Sequence, residues 1–137
     1  MKTFKTALSV AAVSIAACLS TATPASAATA DNGVCETYEI CWYYNSGYRG
    51  GVADFTQADA RYDQNDTFHG TGGQINNNIA SGKNRNPGYN AIGWQYYNWT
   101  GWAFTLLASG DPNCCVSELP GAYKNAISSH SHRPYGT

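Results

Sequence analysis

The chain has 137 residues, a formal charge of −1 at pH 7, and more aromatic than charged residues, 13% against 12%. That length fits one domain, and so nearly neutral a balance argues against nucleic acid or an anionic membrane as partner, since both reward a basic surface. The 14 Gly all fall after residue 32, among many Asn and no long run of 3.6-residue period, which points to an all-β domain with tight turns.

Residues 1–27 read as an export signal. Lys2 and Lys5 supply a positive start, residues 7–17 an apolar stretch, and Pro24 followed by Ala25-Ser26-Ala27 a small-residue cleavage site. Cleavage after Ala27 leaves about 110 of the 137 residues and takes the formal charge from −1 to −3, because Lys2 and Lys5 are lost. A second reading competes: Ile15-Ala16-Ala17-Cys18 resembles a lipobox, which would make Cys18 a lipid-modified N-terminus. The small-residue site at Ala25-Ser26-Ala27 favours the first. No later apolar run approaches the roughly 20 residues that span a membrane. Residues 28–34 form a short polar lead, expected to be mobile, and residues 35–137 a single domain.

That domain opens on Cys35 and Cys41. Residues 39–44 are rich in β-branched and aromatic side chains and read as a strand, Asn45-Ser46-Gly47 as a turn, and Val52 and Phe55 as the start of the return. Tyr43, Tyr48 and Gly50 stand five and two positions apart in succession, so Tyr48 can lean back over the turn, while Gly50 and Gly51 allow close backbone approach. This spacing resembles the folded hairpin of a βγ-crystallin Greek key. With the preceding C-x5-C and the export signal, the chain looks like the secreted peptidase inhibitors typified by the Streptomyces metalloproteinase inhibitor. The resemblance implies a βγ-crystallin-like sandwich of two Greek keys in one disulfide-stapled domain, with helix confined to short turns. It also implies an extracellular metalloprotease as partner.

The first key would run over residues 39–85. Residues 57–73 form a long polar loop broken by the strand-like Thr67-Phe68. In the family that the chain resembles, the stretch corresponding to residues 74–81 often supplies calcium ligands. Asn76, Asn77 and Ser81 fit its pattern, but Ala80 stands where a hydroxyl is needed and no carboxylate is present. A structural turn without metal is expected, and no cofactor. Pro87-Gly88 marks the link to the second key. There residues 92–97 read as a strand, 98–101 as a turn and 102–107 as the return. Tyr97 and Trp102 repeat the five-residue aromatic spacing, but Phe104 falls where glycine should stand, so this hairpin is expected to depart from the pattern.

Residues 109–123 are the second informative stretch. Pro112 and Pro120 stiffen it, Cys114 and Cys115 pin it, and Val116 and Leu119 are apolar in a polar loop. Beyond Tyr123 the chain is a polar tail, expected to fray. Cys35, Cys41, Cys114 and Cys115 read as two disulfides, with three pairings open. The local pairing, Cys35 with Cys41 (worth ~2 kcal/mol by chain entropy) and Cys114 with Cys115, is expected over a crossed one. The spacing does not suit zinc.

No catalytic constellation emerges. His69 near Asp66 lacks a nucleophile, His130 and His132 fall in the tail, and Asp54, Asp59, Asp63 and Asp66 have no glycosidase spacing. Trp42-Tyr43-Tyr44 and the aromatics from Trp94 to Trp102 read first as core, with a sugar-stacking platform as the alternative and Trp99, at a turn tip, a candidate for exposure. Two functions follow. The first is a monomeric, non-enzymatic, secreted inhibitor whose loop places Val116 in an apolar protease pocket, with the Cys115 carbonyl toward the catalytic zinc and Leu119 beside them. The second is a secreted structural or ligand-binding module for calcium or carbohydrate.

Overall fold

The computed structural model describes residues 27–63 and 65–137. The expected export signal, apart from Ala27, and with it Cys18, lies outside the described residues. The aromatic run after Cys35 forms β1 (Ile40–Asn45), and the chain returns as β2 (Arg49–Phe55). Their antiparallel register is regular from Ile40↔Phe55 to Tyr43↔Val52 and then slips before Asn45↔Arg49. The slip folds the hairpin tip over. Gly47 and Tyr48 both take left-handed φ, 73° and 59°, and the Tyr48 ring meets Tyr43 edge-on at 5.7 Å. At Gly50, φ 92°, a Cβ would lie 2.7 Å from Asn45 Nδ2, so the fold-back excludes any larger residue.

β3 (Ser81–Asn84) pairs with the other side of β1. The second key repeats the arrangement with β4 (Tyr89–Tyr96), β5 (Thr100–Leu106) and β7 (Ser129–Pro134), joined at the hairpin by a 3-10 turn, Tyr97–Trp99. Its remaining strand, β6 (Cys115–Val116), crosses to the first sheet, giving orders β2-β1-β3-β6 and β5-β4-β7. The first key returns the loan: Asp59 and His130 exchange backbone hydrogen bonds of 3.0 and 2.8 Å, and the Tyr62 N–H donates to the Ser128 carbonyl. Two interlocked Greek keys thus form one all-β sandwich, and among the described residues the 3-10 turn is the single helical element.

The second hairpin keeps the full pattern, in a different register from the expected one. Asn45↔Arg49 corresponds to Tyr96↔Thr100, each pair following a register slip. The equivalents of Tyr43, Tyr48 and Gly50 are therefore Trp94, Trp99 and Gly101, not Tyr97, Trp102 and Phe104. Trp99 (φ 60°) and Gly101 (φ 84°) match the left-handed geometry of Tyr48 and Gly50. One serine closes each hairpin. Ser81 Oγ donates to the Asn45 carbonyl and accepts from the Tyr48 N–H, at 2.7 and 3.1 Å. Ser129 Oγ donates to the Tyr96 carbonyl and accepts from the Trp99 N–H, at 2.6 and 3.3 Å.

One terminal expectation is corrected. The polar tail is not frayed: its Ser129–Pro134 stretch is β7, paired with β4 along its whole length. A strand needs backbone partners, not an apolar sequence, and β4 supplies them. The lead at 28–34 is joined to β2 through Asp54. The buried Asp54 carboxylate accepts from the Asn32 and Gly33 N–H groups at 2.9 Å each, and the Asp31 N–H donates to the Asp54 carbonyl.

The core lies between the sheets, with Ile40, Trp42, Tyr62, Phe68, Ile79, Leu106, Leu119 and Ile127 almost fully buried. Trp42 fits because Gly82 faces it: a Cβ there would stand 2.5 Å from the indole. Because each serine satisfies a donor and an acceptor at a fold-back, Ser81→Ala and Ser129→Ala should each lower the unfolding free energy by ~1–3 kcal/mol. Urea denaturation of the two variants checks this, and equal losses are expected from the equivalence of the hairpins.

Candidate functional site

The 109–119 segment is fastened at both ends. The Ser109 N–H donates to the Asn86 carbonyl and the Cys114 N–H to the Asp111 carbonyl. Beyond β6, the Gly47 N–H donates to the Ser117 carbonyl at 2.6 Å and the Leu119 N–H to the Ala80 carbonyl. β6 is an edge strand, paired only with β3 through Gly82↔Val116 and Lys83↔Cys115. The Asn84 N–H donates to the Cys114 carbonyl. By the alternation of an antiparallel ladder, Cys115 and Lys83 are then a non-hydrogen-bonded pair, and the Cys115 amide and carbonyl turn to the open edge. A groove of about 360 Å³ lies there, lined by residues including Phe104, Leu106, Asn113, Cys115 and Val116.

Of the expected loop residues, Cys115 and Val116 are half-buried and reachable, with Val116 resting against the core. Leu119 is only 1% exposed and belongs to the core, so it has no surface to offer a partner. The polar sequence around Leu119 concealed that the chain dives inward after Ser117. Beside the edge, Lys83 lies over the Tyr48 ring, with Nζ 4.2 Å from its centroid.

Cys35 and Cys41 are bonded, with Cα atoms 5.8 Å apart. The adjacent bridge is not formed: Cys114 and Cys115 are free, their sulfurs 2.8 Å apart. Neighbouring residues hold their Cα atoms about 3.8 Å apart, short of the roughly 4.4–6.8 Å that a disulfide ordinarily spans. Burial, with the neighbouring Cys114 thiol, pushes the Cys115 thiol up to about 11.

Within the 74–81 stretch the chain turns at Asn76-Asn77, where Asn77 takes φ 59°, before Ser81 opens β3. Sequence reading missed its partner: Ser128 Oγ, from the second key, donates to Asn77 Oδ1 at 3.1 Å. Asn76 Oδ1 is buried without a partner, on a groove whose rim carries Asp63 but also Arg61. The equivalent turn of the second key faces Ala80, a methyl group, and carries Lys124. A calcium ion needs six to eight oxygens, so a turn of amides with one hydroxyl, flanked by cations, does not fit it.

The histidines are structural. His69 Nε2 meets the Asp31 carboxylate at 2.8 Å on the surface, not Asp66, and that hydrogen bond raises its pKa. His130, expected in a solvated tail, is fully buried between Tyr62 OH (2.7 Å) and the Gln57 carbonyl (2.9 Å). The carbonyl can only accept, so Nε2 carries the proton and Nδ1 accepts from the tyrosine. Burial lowers the His130 pKa to about 3 and also lowers that of His132. Trp42 is core, whereas Trp99 is 46% exposed, as its turn position suggested.

The model of peptidase inhibitor family I36 matches residues 28–106, more than half of the chain. No curated protein matches it. The fold is similar to the N-terminal domain of protein S, at 26% identity and a TM-score of 0.53 over 70% of this chain and 96% of that one. It is similar to a βγ-crystallin domain from Flavobacterium johnsoniae, at 25% identity and a TM-score of 0.55 over 72% and 97%. A βγ-crystallin domain from Clostridium beijerinckii, 16% identical, shares the fold at a TM-score of 0.53 over 72% and 99%. Among the described residues no helix is long and apolar enough to cross a membrane, and no three His, Cys, Asp or Glu side chains gather as a metal site.

A neutral buried His130 makes stability depend on pH. Below the ordinary value of 6.5 the unfolded chain takes up a proton that the folded chain refuses until about pH 3. Between those limits stability therefore falls as pH falls, by up to ~1.4 kcal/mol per pH unit from this group. His130→Phe should be less stable at pH 7, having lost both hydrogen bonds, but should show a flatter decline from pH 6.5 to 4 in denaturant titrations.

Proposed function

The chain belongs to peptidase inhibitor family I36, and from that premise we propose that it is a secreted, monomeric inhibitor that blocks an extracellular metalloprotease by binding. It does no chemistry of its own. The observation that carries this reading is the open edge of β6: a short extended segment, bonded on one side only, with the Cys115 carbonyl and amide turned outward. Proteases bind their substrates as an added strand, so a preformed edge is the shape they accept. The segment is held by Asn84, by Gly47 and through Leu119, so docking does not have to order it, a saving of ~0.5–1.5 kcal/mol for each side chain already fixed.

In this reading the Cys115 carbonyl approaches the protease zinc and the exposed part of Val116 enters the neighbouring apolar pocket. Residues 1–27, read as an export signal, would carry the chain to an extracellular target, and the thermolysin type of target is what the sequence resemblance implies. β6 lies beyond the matched residues 28–106, so the family assignment and the loop assignment rest on separate grounds.

Two variants separate contact from stability. Val116→Asp should weaken inhibition of a thermolysin-like protease at least about a hundredfold, ~2.8 kcal/mol, because a carboxylate would enter an apolar pocket unpaired. Leu119→Ala should lose ~2–5 kcal/mol of stability from a cavity in the core, yet inhibit normally below its melting temperature. Residual protease activity and thermal melting measure both. A wild-type protein inert toward metalloproteases, or a Val116→Asp variant that still inhibits while folded, would overturn the reading.

A further inference from the structure

A second surface, away from β6, has the makings of a ligand site. Three large aromatic side chains that the core does not use stand around one groove of about 760 Å³: Tyr38, Tyr89 and Trp99, exposed by 56%, 44% and 46%. The rest of the wall mixes small apolar residues, Ala27, Ala28 and Ala58, with polar ones that include Gln57, Asn86 and His132, and among the described residues no Lys, Arg, Asp or Glu lines it. His132 Nε2 is buried without a hydrogen-bond partner and is not open to the groove, and the Tyr89 ring lies beside that imidazole at 6.2 Å.

The Trp99 side chain is held in place, and so is the backbone that carries Tyr38 and Tyr89. The Trp99 backbone is fixed by Ser129, and its indole N–H donates to the His130 carbonyl at 2.9 Å. The Tyr38 N–H donates to the Arg85 carbonyl, and the Tyr38 carbonyl accepts from Asn86 Nδ2. Tyr89 opens β4. A concave surface with aromatic faces and a few uncharged polar groups suits a ligand that is flat, apolar on its faces and hydroxylated at its edges.

We propose that this groove binds a neutral β-1,4-linked polysaccharide, with pyranose faces stacked on Tyr38, Tyr89 and Trp99 and ring hydroxyls bonded to Gln57. No Lys or Arg lines the groove, and the α-amino group that cleavage after Ala27 would leave at Ala28 is a single charge, which disfavours single-stranded nucleic acid, since that needs a positive groove as well as stacking. A proline-rich peptide would seek a free indole N–H for its carbonyls, and that of Trp99 is already given to His130. The site is independent of the inhibitory edge and does not require it.

Tryptophan fluorescence titration of the purified protein with cellohexaose and with chitohexaose tests the idea, together with retention on insoluble cellulose and chitin. The two sugars distinguish a plain glucan from an N-acetylated one, and binding of either is the expected result. Tyr38→Ala and Tyr89→Ala should each weaken that binding about tenfold without moving the melting temperature, since both rings are exposed. Failure of both sugars to bind, binding indifferent to both substitutions, or binding of a polyproline peptide in place of the sugars would each overturn it.

Discussion

Each half of this protein depends on one hydroxyl. Ser81 and Ser129 reach across to a hairpin tip in which the chain has turned back on itself, and each satisfies one carbonyl and one amide there. Without that bridge the left-handed Tyr48 and Trp99 would expose backbone groups that no neighbouring strand can pair. A serine is the suitable residue, since its hydroxyl both donates and accepts and is short enough to stay beneath the tip. The aromatic that closes each hairpin is then fixed, and Trp99 is thereby held at the surface.

The exchange of third strands follows from the same economy of partners. Between residues 57 and 73 the first key meets its own sheet at the His69↔Val52 bridge, while Asp59 and Tyr62 take backbone partners from His130 and Ser128. In return β6 completes the first sheet as its edge. The exchange buries His130 and Tyr62 together, which makes a polar pair part of the core and a source of acid sensitivity. It also leaves Cys115 on an open edge, with its backbone groups turned outward.

Much of this was legible in the sequence. Tyr43, Tyr48 and Gly50 encode the first hairpin locally, because a fold-back needs an aromatic lid and a residue without Cβ within a few positions. Cys35 and Cys41 pair locally for a similar reason, being close enough in the chain to meet. The second hairpin was legible too, as Trp94, Trp99 and Gly101. The run of Trp and Tyr offered several pairs five apart, and the glycine, which decides among them, fixes the register.

What the sequence by itself determined is therefore the all-β class, the first folded hairpin, the local disulfide and the family resemblance, all set by interactions between residues near in the chain. Tertiary structure alone decided the rest. β7 looks like a solvated tail, because its stability comes from β4 and not from its own side chains. Leu119 looks like a loop contact and is core, because its neighbours arrive from both sheets. Asp54 reads as one of several scattered carboxylates, yet it anchors the lead through two amides more than twenty residues away. Which backbone edge stays open, and which aromatics share a groove, depends on pairing between distant strands, and no local pattern records it.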